Sequence, residues 1–357
     1  MTHKLLLLWD RMGDYHRARW QSLIQLIGEE NCYAADLGAG DKLYRWSNTE
    51  ENKYYFRLSE KPVDQVGAYD ALKVFKQVVM ENNITHVCIP GYGKLAYILM
   101  LRWCKRNNIK VLMFAESWYR GNNLVEGFKK RLIKKNVDIC FVSGKRSAQH
   151  FVDTLHYPKE QIVEGYSTVD NTYFASGSAS KTAPPQLLCV ARFALEKNLT
   201  LLVKAFKASA LSKHWQLRIV GGGPLKEQLQ NEAKGFDNIL LDDWLSYADL
   251  PEMYAQATCF VLPSVFEPWG LVVNEAMSAG LPLILSEAVG AYPDVLKEGE
   301  NGWLFHADQQ KELTLVLDKL NELSLQELAN MGKESKEIIA NFTPDIWAKK
   351  IVEGFLK

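Results

Sequence analysis

The chain predicts an α/β protein built from two doubly wound, Rossmann-like domains. Short apolar runs alternate with longer segments of helical pitch, and strand followed by helix, repeated, implies a parallel sheet covered on both faces. That alternation halts at the small, polar, proline-bearing stretch 176–186 (SGSASKTAPPQ) and then starts again. A length of 357 residues is long for one core and comfortable for two. The expected boundaries are 1–170 for the first domain, 171–186 for a linker and 187–342 for the second domain.

In the first half the elements follow in order. Apolar strand-like runs lie at Lys4–Asp10, Cys32–Leu37, Tyr54–Leu58, Thr85–Pro90, Lys110–Ala115 and Val137–Ser143. Helical patterns separate or follow them at His16–Gly28, Tyr69–Asn82, Leu95–Asn107, Val125–Lys135 and Lys145–His156. In the second half, strand-like runs at Leu187–Arg192, Gln216–Val220, Ile239–Trp244, Thr258–Pro263, Leu281–Ser286 and Trp303–His306 alternate with helical patterns at Leu199–Ser209, Leu225–Lys234, Leu250–Gln256 and Leu271–Ala279. In such folds ligands bind beyond the carboxyl ends of the strands, so the loops there are the places to look for chemistry.

Composition narrows the class. Hydrophobic content of 47% and charged content of 24% are ordinary for a globular protein. The net charge is zero, yet residues 1–165 hold 25 Lys and Arg against 18 Asp and Glu (+7), and the remainder holds 17 against 24 (−7). An uneven split of this kind suits either an anionic surface or substrate for the first domain, or two mutually complementary domains. The six cysteines sit singly in apolar runs, without a C-x-x-C pair, and read as small buried hydrophobes of a reducing cytosol. The Leu5–Leu8 run is too short to span a bilayer and turns at once into Trp9-Asp10, so it reads as a first strand rather than an export signal. A cytoplasmic location is the expectation. Nucleic-acid binding has no supporting basic or aromatic motif.

The most informative segment is V-F-E-P-W-G-L-V-V-N-E-A-M-S-A-G, residues 265–280. It follows the run Thr258–Pro263, and Pro268 and Gly270 break the chain where a helix should open. Unpaired N–H groups and the positive helix end would face the space beyond the strand, which suits a pyrophosphate. Because Pro268 has no N–H, the available donors are Trp269, Gly270 and Leu271. Carboxylates beside phosphate repel it, so Glu267 and Glu275, eight positions apart, make sense as partners of sugar hydroxyls.

Three further patches accompany this element: V-A-R-F-A-L-E-K-N (190–198), V-G-G-G-P (220–224) and V-D-N-T-Y-F (169–174). Together they resemble the donor-site signature of family 4 retaining glycosyltransferases, glycosyl transferases group 1. The resemblance is strong over residues 162–342 and weak over the first half. It implies the GT-B fold, two Rossmann-like domains facing a central cleft, with a last helix (343–357) crossing back to the first domain. It also implies retaining, metal-independent transfer of a hexose from a nucleoside-diphosphate sugar, expected to be UDP-linked, to a hydroxyl of a glycan or lipid-linked acceptor. Such enzymes build cell-surface polysaccharides and glycoconjugates.

The resemblance assigns roles residue by residue. Arg192 and Lys197 match the diphosphate-binding pair, which would stabilise the charge that grows on the leaving group. Glu267 matches the residue beside the transferred sugar, and Glu275 the ribose ligand. The residues themselves leave another reading open, in which Lys197 pairs with Glu196 on the surface and Asn198 caps the helix. Gly222 and Gly223 would let backbone approach the donor, or else form a tight turn; a dinucleotide fingerprint would need glycine where Lys226 stands, so the dehydrogenase reading fails. Trp244 and Leu245 resemble the base-contacting segment, although a strand-end tryptophan also suits a core. Asp242 and Asp243 read as solvated, and no metal or other cofactor is expected. Asp294 departs from the glutamate of the family pattern and reads as a helix N-cap.

On the acceptor side, three loops can face the cleft: 10–19, 90–94 and 116–120, the last ending on Arg120. Gly13 would let the backbone approach the diphosphate. His16, Arg17 and Arg19 either bind the diphosphate or an anionic acceptor, or form the polar face of a helix. Tyr92 and Glu116 complete the acceptor set, Glu116 standing where the family often has histidine. The basic run 128–135 (FKKRLIKK) reads either as a helix lying on anionic lipid, which would place the protein at the inner face of a membrane, or as a solvated helix packing Leu132 and Ile133 inward. Runner-up functions are a sugar-nucleotide epimerase or hydrolase and a non-catalytic sugar-nucleotide-binding protein.

Overall fold

The computed structural model describes residues 3–39, 52–119 and 121–357, and divides into two units. Unit 1 comprises residues 1–168 and 344–357, and unit 2 residues 169–343. Arg120 lies outside the described residues.

Unit 1 runs β1 (Leu5–Trp9), α1 (Asp14–Ile27), β2 (Cys32–Asp36), β3 (Tyr55–Arg57), α2 (Ala68–Glu81), β4 (His86–Ile89), α3 (Leu95–Arg106), β5 (Lys110–Ala115), α4 (Asn123–Asn136), β6 (Ile139–Val142), α5 (Lys145–Gln149) and β7 (Ile162–Glu164). A π-helical turn, His150–Thr154, prolongs α5. All seven strands are parallel, in the order β3-β2-β1-β4-β5-β6-β7. Side chains of alternate residues enter opposite faces of the sheet. Leu6 and Leu8 therefore join one core with Phe75, Met100 and Ile133, while Leu5, Leu7 and Trp9 join a second with Trp20, Leu23 and Phe114. That second core also holds Trp347, Ala348, Ile351 and Phe355 of the C-terminal helix, which packs along α1.

Unit 2 runs α6 (Asn171–Phe174), β8 (Gln186–Val190), α7 (Leu199–Ala208), β9 (Gln216–Val220), α8 (Lys226–Ala233), β10 (Ile239–Asp242), α9 (Leu250–Gln256), β11 (Cys259–Leu262), α10 (Leu271–Ser278), β12 (Leu283–Ser286), α11 (Tyr292–Val295), β13 (Gly302–Phe305), α12 (Gln310–Glu322) and α13 (Leu325–Ile339); α14 (Pro344–Phe355) belongs to unit 1. The six strands are parallel, in the order β10-β9-β8-β11-β12-β13. The doubly wound expectation holds in each unit.

Residues 171–186, expected as a linker, are part of unit 2. Their first turn is α6, capped where the Asp170 carboxylate accepts from the Tyr173 N–H at 3.0 Å. Glu252 on α9 then accepts from the N–H groups of Ser178 and Ala179, at 3.1 and 2.8 Å, so this polar stretch is exposed yet pinned. The six cysteines are buried and unpaired. Among the described residues no helix is long and apolar enough to cross a membrane.

Candidate active site

In unit 2 the strand order reverses direction beside β8: β9 and β10 extend to one side, β11, β12 and β13 to the other. Loops leaving β8 and β11 diverge there, which opens a crevice at the carboxyl ends of the strands. The first carries Arg192 and Lys197, and the second carries Glu267, Trp269 and Gly270. Lys197 Nζ makes an ion pair with Glu267 across this point, both side chains being mostly buried (17% and 12% exposed). Glu196 is engaged instead by Arg192, four residues back. The alternative pairing of Lys197 with Glu196 is therefore corrected: the short 3-10 turn Leu195–Lys197 lets Arg192 reach Glu196 and aims Lys197 inward. Asn198 does occupy the N-cap position of α7, in the left-handed region at φ 54°, but its side chain donates to the Ala307 carbonyl at 2.7 Å rather than capping.

The Glu267 loop is held from its other side. Glu267 N–H donates to Ala288 O (3.2 Å), Gly290 N–H to Glu267 O (2.9 Å) and Ala291 N–H to Trp269 O (3.1 Å). Gly270 follows at φ 97°, a conformation that favours glycine, and begins α10. Trp269, Gly270 and Leu271 donate no backbone N–H to any protein acceptor among the described residues. Trp269 and Gly270 are buried, so these donors at a helix start are poised for an anionic ligand. The indole of Trp269 is 2% exposed and donates to Asn274 Oδ1 at 2.8 Å, which leaves its backbone as the part available to a ligand. Asp294 lies within the first turn of α11, whose N-cap is Ala291, so the N-cap expectation fails there.

Glu275, on α10, is 1% exposed and accepts from the Tyr254 hydroxyl at 2.7 Å. Beyond β9, the three glycines have different duties. A Cβ on Gly221 would lie 1.9 Å from the Ala191 carbonyl oxygen, and one on Gly223 would lie 2.7 Å from that of Phe193. These two let the β9 loop press on the β8 loop. A Cβ on Gly222 would meet only the Trp244 ring, at 3.1 Å. Trp244 is 47% exposed, which removes the core reading, and Leu245 is half-buried beside it. The neighbouring aspartates are paired: Arg218 Nε donates to Asp242 at 2.6 Å, and Lys226 holds Asp243.

Sequence reasoning missed two groups here. Tyr254 positions Glu275 from α9, and its signal, an aromatic on the buried face of a short helix, is indistinguishable from core. Ser264, two residues past the end of β11, is fully buried with an Oγ that has no hydrogen-bond partner among the described residues. A hydroxyl just past a strand end and three residues before Glu267 is a cue that spacing alone could have supplied.

In unit 1 the candidate residues follow β1, β4 and β5, neighbours in the sheet. Gly13 is the N-cap of α1 at φ −115°, an ordinary extended conformation. His16 stacks on Trp9 at 4.7 Å, and its Nδ1 lies 3.0 Å from the Arg11 carbonyl, an acceptor only. The Gly13 N–H also points at this nitrogen, at 3.3 Å. Burial, with the charge of Arg19 second, pushes the imidazole down to about 3, so His16 is neutral and offers no cation to a diphosphate. Arg17 is half-buried in the first turn of α1. Arg19 is corrected to a structural role: it is 1% exposed, donates to Thr168 O at 2.6 Å and lies over the Tyr166 ring. Tyr92 lies under Lys129, 5.5 Å from the ring centre, and Glu116 accepts from Ser167 Oγ at 3.0 Å.

Residues 172–338 match the family model described as Glycosyl transferases group 1. Over 159 residues the chain is 35% identical to the sulfoquinovosyl transferase SQD2 of Arabidopsis thaliana, covering 43% of this chain and 29% of that protein. Over 191 residues it is 25% identical to the putative colanic acid biosynthesis glycosyltransferase WcaL of Escherichia coli, covering 50% and 47%. The matched stretch thus spans less than half the length of these relatives. Among solved structures, the sucrose-phosphate synthase of Thermosynechococcus elongatus aligns over 98% of both chains with a TM-score of 0.78 at 18% identity. Anabaena Alr3699/HepE in complex with UDP aligns over 98% of both chains with a TM-score of 0.75 at 15% identity. At such identities the likeness speaks for the fold. Residues 172–338 are thus similar to the glycosyl transferases group 1 family, and the fold of the chain is GT-B.

Proposed function

We propose that the protein is a retaining glycosyltransferase that moves a hexose from a UDP-sugar to a hydroxyl of a glycan or glycolipid acceptor, in the synthesis of a cell-surface polysaccharide or glycoconjugate. The observation that carries this reading is the convergence, at the strand-order reversal of unit 2, of Lys197, Glu267 and the undonated N–H groups of Trp269, Gly270 and Leu271. A diphosphate there would meet fixed donors and a cation that needs little rearrangement. Arg192, on the same loop, adds a second cation. Once the diphosphate takes Lys197, Glu267 is released to accept from hydroxyls of the transferred sugar. Glu275 would hold the ribose and Trp244 would stack on the base, with Gly222 leaving room beside it. Gly13, Tyr92, Glu116 and neutral His16 would serve the acceptor.

In the reaction, the bond between the sugar's anomeric carbon and the diphosphate oxygen breaks, and a bond from that carbon to the acceptor oxygen forms on the same face. The acceptor's proton passes to the leaving diphosphate, so no protein nucleophile and no metal are required. Arg192 and Lys197 stabilise the charge that develops on the leaving group.

A thermal-shift screen of nucleotide sugars, followed by UDP release with and without candidate acceptors, tests the reading. The expected result is stabilisation by one UDP-sugar, acceptor-dependent UDP release that survives EDTA, and a product of retained anomeric configuration by NMR. Release or epimerisation without acceptor would replace the proposal with the hydrolase or epimerase reading, and stabilisation without turnover would replace it with the binding-protein reading.

A further inference from the structure

The helices α3 and α4 pack side by side in unit 1. Between them runs a groove of about 350 Å³, lined by Arg102, Lys105 and Arg106 of α3 and by Phe128, Arg131 and Lys135 of α4. Among the described residues no carboxylate lines it. Lys105 reaches Asp138 at 3.9 Å, but Lys110 shares that carboxylate at 3.5 Å. Among the described residues the side chains of Arg102, Arg106, Arg131 and Lys135 make no hydrogen bond or ion pair. Helix α3 has no acidic residue, and Glu126, the acid of α4, is buried and accepts from Lys129 at 2.8 Å. Lys130 and Lys134 add two further charges to α4. Among the described residues six cations of these two helices thus have no carboxylate partner, and four of them, Arg102, Arg106, Arg131 and Lys135, line the groove.

The same face carries apolar side chains. Leu124, Phe128, Arg131 and Lys135 recur at the spacing that aligns residues along one side of a helix. Leu124 is 84% exposed and Phe128 51% exposed, while Ile133 anchors the opposite side in the core. An isolated cationic groove would suit any polyanion. A cationic groove continued by a protruding leucine and phenylalanine suits a surface that is anionic outside and apolar just beneath. Soluble polyphosphate offers nothing to those two side chains, and in duplex nucleic acid the bases are stacked away from them.

We propose that the α3–α4 face docks the protein onto an anionic lipid surface, with Leu124 and Phe128 entering the headgroup boundary and the groove cations lying on lipid phosphates. The docking surface lies within unit 1 and is independent of the donor chemistry proposed for unit 2.

The test is co-sedimentation of the full chain with phosphatidylcholine vesicles, with and without phosphatidylglycerol, while UDP binding by calorimetry reports an intact unit 2. The expected result is binding only to the phosphatidylglycerol vesicles, weakened by salt. Each cation near an anionic surface is worth about a fivefold factor in affinity, so R102A/R131A should bind roughly 25-fold more weakly. L124S/F128S should also bind more weakly but keep its salt dependence, because its cations are intact. Folding of both variants is checked by circular dichroism. Absence of binding to phosphatidylglycerol vesicles by the folded wild type, or equal binding to neutral vesicles, overturns the proposal. Capture by heparin that is unchanged in L124S/F128S, without vesicle binding, overturns it in favour of a soluble polyanion.

Discussion

The Lys197–Glu267 pair makes opposite demands on folding and on ligand binding, and the two can be separated by substitution. With both side chains mostly buried, removing one partner strands the other charge. For fully buried pairs this costs about 3–5 kcal/mol, so the residual exposure here brings the expected loss for Lys197→Met to roughly 2–3 kcal/mol. Glu267→Gln keeps the shape and leaves a lysine, whose long stem reaches water more readily, so its cost should be smaller. Ligand binding responds differently. A carboxylate about 6 Å from one phosphate charge repels it by roughly 3 kcal/mol at an effective dielectric constant of about 20. Part of that is already screened by Lys197, so relieving it should tighten UDP binding by about 1.4 kcal/mol, or roughly tenfold. Lys197→Met should weaken UDP by at least as much, and the double variant should regain most of the stability but not the affinity. Urea unfolding and calorimetric titration with UDP measure the two effects, and sugar transfer by Glu267→Gln should fall even as its UDP affinity rises. If Glu267→Gln loses UDP affinity in step with Lys197→Met, or if the double variant is as unstable as Lys197→Met, the reasoning is wrong.

Three further outcomes follow from the geometry. Gly223→Ala drives a Cβ into the Phe193 backbone and should cost about 2 kcal/mol or more, whereas Gly222→Ala meets only the movable Trp244 ring and should leave the urea midpoint nearly unchanged while weakening UDP binding severalfold. Because the folded state holds His16 down to about 3, below its ordinary 6.5, it excludes a proton that the unfolded chain accepts; the stability present above pH 6.5 is lost as pH falls toward 3, and His16→Phe should flatten that slope in urea titrations. Asp36 has the opposite sign: burial raises it from 3.8 to about 6, against the Tyr55 hydroxyl and the Met12 N–H that both donate to it. Stability should decline by roughly 3 kcal/mol as pH rises across that window, and Asp36→Asn should remove the decline.

Local pattern carried most of the fold. Every strand-like run became a strand, because alternation and apolar runs reflect burial directly. The strand missed, Ile162–Glu164, has only three residues and no room for a pattern to repeat. Helices α12 and α13, between the last strand-like run and the final helix, were passed over, although Leu313, Leu317 and Leu320, and the reciprocal Ser324–Glu327 cap, carry a readable signal. The site was legible where it depended on a helix start and a glycine turn. Side-chain pairing was not. Glu196 sits next to Lys197 in sequence, yet Arg192 takes it, and the partner of Lys197 lies 70 residues away. Neutral His16 was equally hidden, since its charge depends on Trp9 and the interior rather than on adjacent residues. The three cations of α3 drew no notice because they form no run of their own, one mid-helix and two at its end; only packing against α4 joins them to a larger set.

Helix α14 closes the second core of unit 1, although all of unit 2 separates it from the rest of that core in sequence. Trp347 and Ile351 are fully buried there, so until they arrive the face of β1 that carries Leu5, Leu7 and Trp9 is covered only in part, by α1. On the ribosome, unit 2 can therefore mature as soon as it emerges, while the earlier-made part of unit 1 must wait for residues 344–357 to be translated. Emergence of α14 then acts as the checkpoint for assembly, and nascent chains stalled before it should present a greasy, chaperone-accessible flank on the half that was synthesised first.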